Sequence, residues 1–146
     1  MKRVCLLIAL LFSSAQCMAS NVVLNLQNYG DLIIINVINM SQENIKVSRL
    51  FTENPGFGLV EFFVIVDGRR VGPLTPPNEN FPVASDYIDL PPLDAVGKAF
   101  YISEIRRRYR VGNGCFNLTV EYHDVMAKKF DAYSKEIESN KIHVCK

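Results

Sequence analysis

The stretch that decides the fold is "CFNLTVEY", which runs from Cys115 to Tyr122. Apolar and polar side chains alternate along it, and a period of two is typical of a β-strand that buries one face. We expect the apolar side chains to face the core and the polar ones to face solvent. The inward set is Phe116, Leu118, Val120 and Tyr122, and the outward set is Asn117, Thr119 and Glu121.

A second cysteine, Cys145, ends the last strand-like segment, in which Ile142 and Val144 are predicted to face inward. If this segment pairs antiparallel with the strand after Cys115, the start of one strand lies beside the end of the other. The two Cα atoms then come within the separation of about 4.4–6.8 Å that a disulfide needs. The sequence therefore predicts a Cys115–Cys145 disulfide and a long C-terminal hairpin.

Other short runs with period-two patterning are separated by turn residues, which is typical of an all-β domain. They cover residues 21–27, 32–39, 45–51, 59–66, 69–72 and 85–90. The run 32–39 is apolar on both faces and predicts a central strand, and 45–51 is expected to pair antiparallel with it. Asp67-Gly68 predicts a tight hairpin. The fold class is an immunoglobulin-like, two-sheet antiparallel sandwich of about seven or eight strands, forming one domain over residues 20–146.

Two segments depart from the strand pattern. Three prolines within five residues make Pro73–Pro82 a surface loop or at most an edge strand. In Lys98–Arg110, Tyr101, Ile105 and Tyr109 recur with helical spacing. We interpret this segment as a strand that passes into a helical turn, with Tyr109 packing at the corner.

The N-terminus is predicted to be a secretory signal peptide over residues 1–19. A basic start and the apolar run Val4–Phe12 precede small residues and a predicted cut after Ala19. The nine apolar residues fall well short of the roughly 20 that span a bilayer, and no later run is longer. A cut after Ala15 and a lipid-modified Cys17 remain alternatives.

Compartment and charge limit the partners that we expect. After the predicted cut, Cys115 and Cys145 remain as an even pair, which favours a disulfide in an exported, periplasmic or extracellular protein. Loss of two basic residues with the signal peptide lowers the formal net charge from +1 to −1. A near-neutral domain has no global attraction to nucleic acid or to an anionic membrane, so any electrostatic function is local.

A local cluster does exist at Arg106, Arg107, Arg108 and Arg110. Arginine binds carboxylate or phosphate in a bidentate manner, so the cluster is a candidate partner-binding patch. The alternatives are a solvated turn with charges offset by nearby acids, and a nucleic-acid site. No recognised nucleic-acid motif accompanies the cluster, so we expect the plausible anion to be an acidic patch on another protein.

No catalytic, cofactor or metal site is predicted. The two histidines, His123 and His143, fall short of the three or four ligands of a zinc site, and no nucleophile-elbow pattern is present. Asp86 and Asp89 are interpreted as solvated acidic side chains at a strand edge. Two sequons, at Asn39 and Asn117, matter only in a eukaryotic secretory pathway.

The chain resembles immunoglobulin-like sandwich domains of secreted bacterial proteins. The succession of "SDYIDLPP" (85–92), "YISEIRRRY" (101–109) and Gly114-Cys115-Phe116 is similar to that of deuterolysin-associated modules and small proteinase-inhibitor domains. The pattern at Asn39–Val47 adds to the resemblance, whereas the cysteine pair and the proline-rich loop depart from it.

The resemblance implies a protein-binding domain without enzymatic activity, with an inhibitor or immunity-type protein that blocks an exported enzyme as the leading form. Binding would be carried by the loops 51–57 and 73–82 and by the arginine turn. One alternative is a structural or adhesive module that assembles by edge-strand addition. The other is an enzyme that performs metal-assisted hydrolysis.

Overall fold

A computed structural model of the chain describes residues 21–53, 59–74 and 81–145. The predicted signal peptide lies outside the described residues, as do parts of the two predicted binding loops. The strands are β1 (Val22–Tyr29), β2 (Leu32–Asn39), β3 (Ile45–Ser48), β4 (Val60–Val66), β5 (Arg69–Val71), β6 (Tyr87–Leu90), β7 (Ala95–Tyr101), β8 (Phe116–Tyr122), β9 (Ile137–Glu138) and β10 (Ile142–Val144). One α-helix, α1 (Ile102–Arg108), and 3-10 turns at Ala84–Asp86 and Ala127–Phe130 complete the secondary structure of this part. The predicted all-β class is confirmed.

The first sheet has the order β1-β2-β7, with antiparallel pairing throughout. The strand β2 is central, as its apolar character on both faces predicts. Its bounds match those of the predicted segment 32–39. The predicted passage from strand to helix is also confirmed, because β7 continues into α1 without a loop.

The second sheet has the order β10-β8-β4-β5, and β9 also pairs with β8. Asp67 and Gly68 join β4 to β5 with φ values of 48° and 77°, as expected for a tight hairpin turn that needs positive φ. The strands β8 and β10 are antiparallel, with Phe116 opposite Val144. The predicted C-terminal hairpin is therefore confirmed.

Both sheets bury one face in a single hydrophobic core, so the strands form a β-sandwich. In β8 the four apolar side chains predicted to face inward are all buried, and the polar ones between them are half-buried. The core residues of β1 and β2 alternate in the same way. Burial of alternate side chains from both sheets is the main stabilising term of this fold.

The predicted pairing of the third strand with β2 is wrong. The strand β3 pairs instead with β6 in a separate two-stranded sheet. Both edges of β2 are already occupied by β1 and β7, so the chain must cross to another partner. Asn39 holds this crossing in place, since its buried Nδ2 donates to Glu43 O and to Leu90 O, each at 2.8 Å.

The last predicted strand is divided into β9 and β10. Between them, Ser139 forms a parallel bridge with Leu24 of β1. The Asn140 side chain pairs with the backbone of Leu26, donating to its O at 2.9 Å and accepting from its N at 2.8 Å. The segment thus covers the edge of β1 and connects the two sheets.

Candidate functional site

The Cys115–Cys145 disulfide is present and lies at the end of the β8–β10 pair. The two Cα atoms are 4.2 Å apart, because the antiparallel register places the two cysteines directly opposite each other. Both residues are exposed. The bond lies within one sheet, unlike the antibody type, which crosses between sheets.

His143 lies against this disulfide. Its Nε2 is 3.2 Å from Cys145 Sγ, and its Nδ1 is 3.0 Å from Asn117 Oδ1. Ligand atoms of Cys115, His143 and Cys145 all lie within 4.8 Å of one another. The sulfur atoms are used by the disulfide, so in the oxidised protein this cluster places an imidazole beside a sulfur–sulfur bond.

A surface groove of about 630 Å³ leads to the disulfide. It lies where the β1–β2 turn, the start of α1 and the end of β10 meet. Its lining residues are Gly30, Asp31, Tyr101, Ile102, Ser103, Arg106, Asn113 and Cys145. The groove therefore brings one predicted disulfide residue and one predicted partner-binding arginine together.

Arg106 stabilises the turn that precedes β8. Its guanidinium donates to Gly112 O and, at 2.7 Å, to Gly114 O, and it lies 5.1 Å from the centroid of the Phe116 ring. An arginine that satisfies two turn carbonyls has a structural role. Its Nη2 is buried and makes no hydrogen bond within the described part of the chain.

Arg108 and Tyr109 bind a buried carboxylate. Arg108 lies 2.9 Å from Glu53, whose side chain is 4% exposed, and the buried Tyr109 hydroxyl donates to the same residue. Burial raises the pKa of Glu53. The Tyr109 hydrogen bond and the Arg108 charge lower this pKa, but by less than burial raises it. Burial also raises the pKa of Tyr109, which keeps the hydroxyl protonated as a donor. Tyr109 packs at the corner, as the sequence predicts.

The other two arginines of the cluster, Arg107 and Arg110, are exposed. Arg110 has φ 52° in the turn that ends the helix. On the hairpin strand β5, Arg70 pairs with Glu61 and lies 4.0 Å from the centroid of the Phe63 ring. The four clustered arginines thus divide into two that hold the corner together and two whose charges face solvent.

A feature that the sequence reasoning missed is the outer face of the first sheet. Register places four rows of three residues there, and none of the twelve is charged, in a chain with 21% charged residues. The rows are Val23–Ile38–Ala95, Asn25–Asn36–Gly97, Gln27–Ile34–Ala99 and Tyr29–Leu32–Tyr101. We call these residues the uncharged face. All twelve are exposed or half-buried.

Exposed apolar groups mark both ends of the uncharged face. Tyr29 and Tyr101 are 75% and 58% exposed at one end. At the other end, Met40 and Leu93 are also exposed, and their backbone N–H groups bond to Asn21 O and Asn39 O. Every second residue of β1, β2 and β7 belongs to this face, so the sequence pattern that could reveal it is the lack of charge at these alternate positions. The pattern can be recognised only when the register of the three strands is known.

The outer face of the second sheet has the opposite character. Glu61, Glu121 and Glu138 follow one another across β4, β8 and β9 in register. A hydrogen bond with Glu136, together with burial and the charges of the other carboxylates, raises the pKa of Glu121 to about 7. The two outer faces of the sandwich therefore differ strongly in charge.

The remaining sequence candidates have local roles. The Asp86 side chain accepts a hydrogen bond from Val83 N at 2.9 Å, and the backbone N–H of His123 donates to Leu59 O at 3.2 Å. Asn39 is fully buried and both of its Nδ2 hydrogen bonds are internal, so a glycan on this sequon is incompatible with the fold. Asn117 is half-buried beside His143.

No known protein family matches the chain, and the curated proteins include no significant match to it. Within the described part of the chain, none of the helices has the length and apolar character needed to cross a membrane.

Proposed function

We propose that this chain is an exported, non-enzymatic protein-binding domain whose binding surface is centred on the uncharged face. The observation that carries the proposal is the run of twelve uncharged positions across β1, β2 and β7. The cores of protein interfaces are depleted in charged residues and enriched in tyrosine. The uncharged face has both properties.

The composition of this face defines the partner that it fits. A sheet surface of aliphatic, amide and tyrosine groups is complementary to another surface with few charges and with hydrogen-bonding groups near its centre. Asn25 and Asn36 lie opposite each other there and offer amide donors and acceptors. A strongly charged partner would lose the hydration of its charges without gaining an ion pair.

Size indicates that the uncharged face is the core of a larger interface. Three strands of seven or eight residues cover roughly 350 Å² in projection, whereas a specific interface covers about 800 Å² on each partner. The helix α1 follows β7 directly and carries the exposed Arg107, and the exposed Arg110 lies in the turn that ends the helix. In this proposal, these two arginines contribute to the polar rim and contact acidic groups of the partner.

Inhibition of an exported enzyme, as the resemblance to proteinase-inhibitor domains implies, is the form of binding that we favour. A rigid sheet backed by a full core loses little conformational entropy when it binds, which suits a tight inhibitor. Edge-strand addition is less well supported. Lys98 points inward on the edge strand β7, where its Nζ lies 3.4 Å from Phe51 O, and inward lysines are a known means of preventing such pairing.

The experiment is capture of a partner from the native exported fraction with the mature protein as bait, followed by size-exclusion chromatography with light scattering. We expect a defined 1:1 complex. The test variant is Ala99→Lys, which places a charge in the middle of the face at an exposed position. The matched control is Thr119→Lys, which places the same charge on the outward side of β8.

Loss of the complex with Ala99→Lys and retention with Thr119→Lys supports the proposal, provided that both variants show the circular dichroism of the parent. Equal binding by both variants would overturn the assignment of the surface. Concentration-dependent dimers that Ala99→Lys abolishes would show that the face binds a second copy of this chain instead. Inhibition is then tested by the effect of the bait on the activity of the captured enzyme.

A further inference from the structure

We propose that the Cys115–Cys145 disulfide exchanges with thiols, and that a thiol-bearing ligand entering the groove is captured covalently on Cys145. This chemistry lies beyond the proposed binding function and does not depend on the uncharged face. It follows from three observations: the accessibility of the bond, the orientation of His143, and the position of Cys145 in the groove.

Accessibility comes first, because exchange needs a sulfur atom that a nucleophile can reach. Both cysteines are exposed, at the end of a strand pair and outside the hydrophobic core. Exposed disulfides are more readily reduced than buried ones.

The orientation of His143 provides a base at the sulfur atom. Asn117 Oδ1 can only accept a hydrogen bond, so the neutral imidazole carries its proton on Nδ1 and donates it there. The lone pair of Nε2 then faces Cys145 Sγ at 3.2 Å. A thiol that approaches this sulfur atom therefore meets a proton acceptor, in the arrangement that activates thiol nucleophiles.

The groove selects which sulfur atom is attacked. Cys145 lines it and Cys115 does not. Arg106 lies in the same lining, and its positive charge favours the thiolate form of an entering thiol. The groove volume of about 630 Å³ accommodates a small peptide or an extended side chain of a bound protein.

The step is balanced with the thiol as the sole co-reactant. The ligand R–SH loses its proton to His143 Nε2, and its sulfur atom bonds to Cys145 Sγ while the bond to Cys115 Sγ breaks. The electron pair of the broken bond stays on Cys115, which takes up the proton from His143. The products are Cys145–S–S–R and the free thiol of Cys115, with no net oxidation or reduction.

The test uses the mature oxidised protein and glutathione as the thiol probe. Samples are quenched at intervals with iodoacetamide, which alkylates the released thiol, and are analysed by intact mass and by peptide mapping. We expect glutathione on Cys145 and the alkyl group on Cys115. Replacement of His143 by alanine should slow adduct formation by at least about tenfold, because the base is lost. The matched control, His123→Ala, should react at the parent rate.

Several outcomes would overturn the proposal. They are the absence of an adduct, an adduct mainly on Cys115, and equal rates for the parent and His143→Ala. Exchange that merely follows unfolding would place glutathione on both cysteines and would accelerate in step with urea-induced unfolding, and this too would overturn it. Circular dichroism of each variant before the reaction shows that the folded proteins are being compared.

Discussion

Arg108 and Glu53, 55 positions apart in sequence, form an ion pair with a shortest distance of 2.9 Å. The arginine side chain is 29% exposed, whereas the glutamate side chain is 4% exposed. Tyr109 donates a hydrogen bond to the same carboxylate. An arginine that looks like part of a surface patch in the sequence therefore compensates a buried charge between the helix and the segment that follows β3.

The first prediction concerns this ion pair. Arg108→Ala should lower the free energy of unfolding by about 2 kcal/mol at neutral pH, because it leaves a buried carboxylate without its counter-charge. Arg107→Ala, which removes a neighbouring exposed arginine, should change it by less than about 0.5 kcal/mol. Urea unfolding of both variants measures the difference. Equal effects would show that Arg108 does not stabilise Glu53.

The cost of Arg108→Ala should also depend on pH. Burial raises the pKa of Glu53, and Arg108 lowers it, so removal of the arginine raises it further. When a carboxyl group has a raised pKa in the folded state, the free energy of unfolding of the protein falls as pH rises through that pKa. The penalty of Arg108→Ala should therefore be smallest in acid, where Glu53 is protonated, and should grow towards neutral pH. A penalty that does not change with pH would contradict this account.

A second prediction follows from the Arg106 hydrogen bonds. Arg106→Ala should lower the free energy of unfolding by about 1–2 kcal/mol, because the carbonyl groups of Gly112 and Gly114 lose a charged donor. Arg106→Lys should restore only part of this loss, since an ammonium group does not reproduce the planar guanidinium whose Nη1 bonds both carbonyls beside the Phe116 ring. Thermal unfolding in parallel with Arg107→Ala measures the effect, and full restoration by lysine would contradict a specific role for the guanidinium group.

A third prediction concerns Gly97 in the middle of the uncharged face. A Cβ at this position would lie 2.2 Å from Asn36 Oδ1 and 2.2 Å from Ile35 O. The backbone oxygen cannot move without disturbing the β2–β7 pairing, so Gly97→Ala should cost about 2 kcal/mol in the free energy of unfolding. Gly72→Ala is the matched control, because a Cβ there meets nothing within 4 Å. Similar stabilities for the two variants would contradict the close approach.

Much of the fold follows from side-chain periodicity. The strand β8, the central position of β2, the Asp67-Gly68 turn and the disulfide are all local patterns, or pairs whose geometry follows from one antiparallel hairpin. The partner of β3 is not a local property. The strand β3 can pair only with a strand edge that is free. The second edge of β2 is not free, because β7, which comes later in the chain, pairs with it.

The arginine cluster shows why the site was harder to predict. Four neighbouring arginines have the same appearance in sequence, but their roles depend on residues far away, such as Glu53, and on the carbonyls of a turn. The uncharged face is not apparent in the sequence, because its rows combine strands from residues 22–39 with one from 95–101. An absence of charge is visible only after this register is known.

The last prediction concerns the carboxylates on the outer face of the second sheet. The hydrogen bond with Glu136 raises the pKa of Glu121 to about 7, from an ordinary value of 4.5. Between these values the folded protein holds a proton that the unfolded chain releases. The contribution of this pair to stability is therefore present below pH 4.5 and is lost as pH rises through about 7.

Glu136→Gln tests this contribution. The amide removes one negative charge and can donate to ionised Glu121, so the pKa of Glu121 should fall towards its ordinary value. We expect the variant to be more stable than the parent at pH 8 and to lose less stability between pH 5 and pH 8. Urea unfolding across that range, with the exposed turn variant Glu43→Gln as control, measures it. Parallel pH profiles for the parent and Glu136→Gln would show that the two carboxyl groups do not share a proton.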